Sequence, residues 1–139
     1  MNLDLANALI TSSLDYRRDH DMKPLTIAVI DAGGHLVALQ REDGTSNLRA
    51  EIAQGKAKGA VAMGLGSRAL FNRAQEQPYF IDAMNALNNG SLVPVPGGVL
   101  IKQNGTLIGA IGITGDSSDN DEACAVAAIE DHGFVAETG

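Results

Sequence analysis

The chain has 139 residues, 45% of them hydrophobic and 4% aromatic, and its 17 acids against 10 lysines and arginines give a formal charge of −7. That length supports one domain with a real core, and the negative balance, unrelieved by any basic stripe, argues against nucleic acid or an anionic membrane as partner. No run approaches the roughly 18 apolar residues of a membrane span, Asp4 and the lack of a basic start speak against a secretory signal, and Cys124 stands alone, so a cytoplasmic setting is the expectation.

Leu3, Ala6, Leu9, Ile10 and Leu14 recur near helical spacing and predict an amphipathic helix over 3–19, ended by the polar turn before Pro24. In "LTIAVIDAGGHLVALQRED" two β-leaning apolar runs flank Ala32-Gly33-Gly34, predicting strands near 26–31 and 35–41 in a tight hairpin. Both runs are nearly continuously apolar, so cover on both faces is expected. A helix over 46–63 follows, capped by Thr45 or Ser46, with Leu48, Ile52, Ala53, Ala57, Ala60 and Val61 facing inward. Gly55 and Gly59 each cost it up to about 1 kcal/mol relative to alanine. Their presence predicts close backbone contact with another element.

Ser67 can cap a short helix through Asn72, and "EQPYFIDAMNALNNG" reads as another, ending at Asn89-Gly90. Pro94 and Pro96 interrupt the chain. Strands near 98–102 and 106–113 then surround Asn104-Gly105, the strongest hairpin signal present. An Ala-rich helix over 119–132, capped by Ser118 or Asp119, ends at Gly133. This order gives one α+β domain over 1–139: an antiparallel sheet flanked by helices.

The chemistry is less explicit. Gly109, Gly112 and Gly115 are three apart, which is neither a dinucleotide fingerprint nor a phosphate loop, and within a strand they suit close packing. Asp116, Asp119 and Asp121 resemble half of a calcium loop without its glycine and distal glutamate, and acids at a helix start are stabilised by its dipole. His20, His35 and His132 form no zinc pattern, and no metal site is expected. His35, at the mouth of the first hairpin, is either a solvated turn residue or a ligand and acid–base group. Cys124 sits among Ala123, Ala125 and Ala127 and reads as packing. Arg41 with Lys56 can grip a carboxylate; equally, Arg41 can pair with Asp43.

Five segments, "TIAVIDAGGHLVALQREDG", "KAKGA", "GGVLI", "NGTLIGAIGITG" and "DNDEACAVAAI", resemble in this order the GlcG/HbpS family, the haem-degrading-type domain, over about residues 3–131. A departure is Leu100, where common members have proline. The resemblance implies a profilin-like or roadblock-like fold assembled as a homo-oligomer. It also implies relatives that bind or degrade haem or that accompany catabolic genes. Two function classes stay open. One is a small-ligand-binding protein, with haem or another tetrapyrrole as its cofactor. The other is a small hydrolase, isomerase or tautomerase acting on a carboxylate-bearing metabolite. There, Arg41, Lys56 and the backbone of Gly97 and Gly98 would hold the carboxylate while His35, Asp43, Asp121 or Glu122 moves protons. The expected cleft lies where the first hairpin, the Lys56 helix and "PGGV" converge.

Overall fold

A computed structural model describes residues 1–139. Helix α1 (Leu3–Asp19) leads into the hairpin of β1 (Thr26–Asp31) and β2 (Leu36–Arg41). An excursion of helices follows: α2 (Arg49–Met63), α3 (Ser67–Glu76) and α4 (Pro78–Leu87). The chain returns through β3 (Gly98–Gln103), β4 (Thr106–Thr114), α5 (Ser118–Asp131) and β5 (Val135–Glu137). The strands make one antiparallel sheet in the order β2-β1-β4-β3-β5. The fold is therefore α+β, an antiparallel sheet flanked by helices.

Strand alternation divides the core. Ile27, Val29, Val99, Ile101, Ile111 and Ile113 face α1 and α5, where they meet Leu9, Ile10, Ala125 and Ile129. Each such aliphatic side chain gains about 1.5–3 kcal/mol on full burial. The other face is smaller in side-chain volume: Ile30, Leu100 and Ala110 pack on Ala57 and Ala60 of α2. Leu70, Ile81 and Leu92 form a satellite cluster joining α3, α4 and the loop before β3.

Small residues let α2 lie close. Gly98 and Gly112 are cross-strand partners, and a Cβ on either would run into a backbone carbonyl of α2, that of Lys56 or of Ala53. On the outer side of α2, a Cβ at Gly59 would come within 2.9 Å of Leu92, while one at Gly55 would meet Val93, whose N–H donates to the Gly55 carbonyl at 3.1 Å. The expected close contacts at these glycines are real ones.

Several expectations need correction. β2 is an edge strand, half-buried at best, and Leu36 is exposed, so only β1 of the first hairpin is covered on both faces. α2 begins at Arg49, and neither Thr45 nor Ser46 caps it, because the Thr45 hydroxyl donates to the Glu42 carbonyl in the preceding turn; Leu48 points to solvent. α3 runs on to Glu76 and α4 stops at Leu87. The α5 cap is Ser117, whose hydroxyl accepts the Asn120 N–H. The short β5 on the far edge was not expected. At the second hairpin Asn104 (φ +50°) and Gly105 (φ +76°) are both left-handed, as the Asn-Gly signal demands.

Candidate functional site

Lys56 and Asp121 lie in the interior. Both side chains are sealed, at 2% and 1% exposure, and the Lys56 ammonium donates to Asp121 Oδ2 at 3.1 Å and to the Ile113 carbonyl at 2.8 Å. The second Asp121 oxygen accepts the Asp116 N–H at 3.0 Å. Burial pulls the lysine pKa down and pushes the aspartate pKa up, each opposed by the partner's charge. Gly97, at φ +122°, leaves no room for a side chain: a Cβ there would sit 2.5 Å from the Ile113 carbonyl oxygen and 2.9 Å from the Lys56 ammonium. The Gly98 N–H is taken by Ser67 Oγ at 2.7 Å, so it is not turned to a ligand.

The structure therefore separates the residues read as one site. Lys56, Gly97, Gly98 and Asp121 form a closed polar core under α2, whereas Arg41 and Asp43 are exposed around the end of β2. Glu122 is engaged by Arg68, which reaches it through Nη2 at 2.8 Å and also bonds Asp119 at 2.6 Å, linking α3 to α5. Asp116, Asp119 and Asp121 thus turn to three different partners: backbone N–H groups, Arg68 and Lys56. Cys124 is buried, its thiol donating to the Ser13 carbonyl at 3.3 Å, and burial pushes its pKa up to about 12.

His35 stands differently. It edges an open groove of about 420 Å³ between the first hairpin turn and α2, with Gly34, Lys58, Val61, Ala62 and Asn89 among its walls. Asp31 builds this turn: Oδ1 accepts the N–H groups of Gly33 and His35, each at 2.9 Å. These bonds, that of His35 first, hold the Asp31 pKa below its usual value. The same oxygen lies 3.4 Å from Nδ1 of the largely exposed His35 ring. Ala62 and Asn88 also line an adjoining apolar cleft of about 200 Å³ with Met63, Met84, Leu87 and Leu92.

A family model described as "Haem degrading protein HbpS-like" matches residues 1–130. Protein GlcG of Escherichia coli K12 is 31% identical over 122 residues, spanning 82% of this chain and 81% of that protein. The chain belongs to the HbpS-like family. Solved structures agree on the fold. A PduOC–haem complex superposes with a TM-score of 0.85 at 24% identity over 96% of both chains. A double mutant of Streptomyces reticuli HbpS gives 0.79 at 22% identity, over 94% of this chain and 85% of that one.

Within this HbpS-like chain, the segments that carried the resemblance are mostly scaffold. "GGVLI" and "NGTLIGAIGITG" are β3 and β4, whose glycines seat α2, and "KAKGA" and "DNDEACAVAAI" supply the two halves of the buried ion pair. The distal wall of the His35 groove, Asn88, Asn89 and Ser91, went unread as a site. Its one local signal was the Asn89-Gly90 turn, with Asn89 at φ +55°.

Proposed function

We propose that this HbpS-like chain is a small-ligand-binding protein whose ligand is haem, seated in the groove between the first hairpin and α2. The observation that carries the reading is His35 at the edge of the groove with the Asp31 carboxylate 3.4 Å from its Nδ1, the kind of neighbour that metal-binding histidines have on the nitrogen away from the metal. Lys58, on the opposite wall, is a cation suited to a propionate. Val61 and Ala62 give a short apolar wall that continues through Met84 and Leu87. These groups fit an amphipathic tetrapyrrole with acids at one edge. Bound haem would supply an iron centre open to small ligands and electrons. Leu36, next to His35 in the chain, and Leu87, in the adjoining cleft, are exposed at 45% and 77%, and a second copy of the chain in a homo-oligomer would cover them.

The carboxylate-enzyme reading has less support, because Lys56 and Asp121 are closed to substrate and already joined to each other. The test is a haem titration followed by absorbance. The parent should develop a saturable Soret band, His35→Ala should lose or shift it, and Lys58→Gln should weaken binding without moving the band. An unchanged spectrum and affinity in His35→Ala would refute the site. Light scattering should give a mass above that of one chain.

A further inference from the structure

We propose a second ligand site, for a small carboxylate or phosphate anion, in the polar pocket bounded by the α1–β1 turn and the approach to α2. This pocket holds about 280 Å³ and has no hydrophobic lining residue; Lys23, Thr45, Ser46, Arg49 and Gly115 form its walls. It shares no residue with the His35 groove.

The charge distribution carries the argument. Arg17, Arg18, Lys56, Arg68 and Lys102 each have an acidic partner within the chain, but Lys23 and Arg49 do not. In a protein of net charge −7, two cations that close no salt bridge line one small cavity. Arg49 is held in place there: its Nη1 donates to Thr114 Oγ1 at 2.7 Å, so the rest of the guanidinium fork is fixed rather than sweeping through solvent. A planar, anchored fork matches carboxylate and phosphate oxygens, and a nearby ammonium adds a point charge.

A third cation stands at the rim. Arg41 pairs with Thr26, which pairs on its other side with Thr114, and directly opposed residues share one face of the sheet. Arg41 is therefore on the same side as the Arg49 contact. Acids close by are already committed. Asp116 accepts the N–H of Lys23, the N–H of Ser117 and the amide of Asn120, and Glu42 faces Arg17 and the Leu25 N–H. The cations at this end of the sheet that can meet an anion are thus Arg49 and Lys23, with Arg41 on the same face, and not the sealed Lys56.

The experiment titrates malonate and, separately, inorganic phosphate into the full chain at low ionic strength, with sodium chloride as the ionic-strength control. Amide NMR shifts and calorimetry are the readouts. At least one anion should bind saturably, with shifts centred on Gly44, Thr45, Ser46 and Gly115, and the stronger binder identifies the ligand class. Lys23→Gln and Arg49→Gln should each weaken binding about tenfold or more, the scale of one charge-assisted hydrogen bond. Haem binding should be unchanged in both. Arg49→Gln also loses the Thr114 contact, so Lys23→Gln, an exposed change, decides if the first variant is unfolded. Saturable binding of neither anion, or binding by folded Lys23→Gln equal to the parent's, overturns the proposal.

Discussion

Replacing Lys56 by methionine isolates the energetics of the buried ion pair. Methionine nearly preserves the length and volume of the lysine stem, so α2 keeps its seat on Gly98 and Gly112 while the ammonium disappears. Asp121 is left at 1% exposure with the Asp116 N–H as its remaining hydrogen-bond donor. Breaking a buried pair by removing one partner costs about 3–5 kcal/mol. Against a domain stability of about 5–15 kcal/mol that is a large fraction. It corresponds to a fall in melting temperature of roughly 10–20 °C for a chain of this size. The sign of the pH effect follows from the aspartate. Burial already raises its folded pKa above the unfolded 3.8, and loss of the lysine charge raises it further. The folded variant then binds a proton more readily than the unfolded chain, so Lys56→Met regains stability as pH falls from neutral toward the unfolded carboxyl pKa. Urea unfolding at pH 7.5 and pH 5 measures both effects, and the double change Lys56→Met with Asp121→Leu should recover part of the loss. A penalty below about 1 kcal/mol at pH 7.5 would show that the pair is not a desolvated charge pair.

Gly112→Ala tests the close seat of α2. The new methyl meets the Ala53 carbonyl, which is helix backbone and cannot swing aside, so the cost should reach the upper end of overpacking, about 3 kcal/mol; a melting temperature equal to the parent's would refute the contact. Cys124 should resist a thiol-specific disulfide reagent at pH 8 in the native protein, because its thiol is buried with a pKa of about 12, and should react fully in denaturant. Fast native labelling would contradict that burial.

The parts of the fold that were legible in the sequence are those written locally. The 3.6-residue spacing of α1, the Asn104-Gly105 turn and the punctuation by Pro94 and Pro96 each lie within a few residues of what they specify. The glycines of β4 announced a close approach, although not which element would make it. What stayed hidden depends on partners far along the chain. Nothing near "KAKGA" says that Lys56 turns inward, since a lysine on an alanine-rich helix is ordinarily solvated. Its partner Asp121 lies on α5, reached only after the sheet has closed. β2 has the composition of a covered strand but no neighbour on its outer side, and strand order cannot be read from hydrophobicity. The His35 groove was half visible through its turn, while Lys58, Asn88 and Asn89 come to it from other elements.

The seat of α2 also sets an order of assembly. This helix touches β1, β3 and β4 together, so it has no complete docking surface until the hairpins β1–β2 and β3–β4 have joined. Each hairpin is local and can close within about 1–10 μs. Their joining brings Thr26 to Thr114 across more than half of the chain, and such distant contacts are what slow folding. Throughout that interval α2 waits without its partner. The face it holds in readiness is made of Ala53, Ala57 and Ala60, and offers little sticky surface to a neighbouring unfolded molecule. The small residues that permit a tight final contact therefore also keep the waiting helix from premature ones.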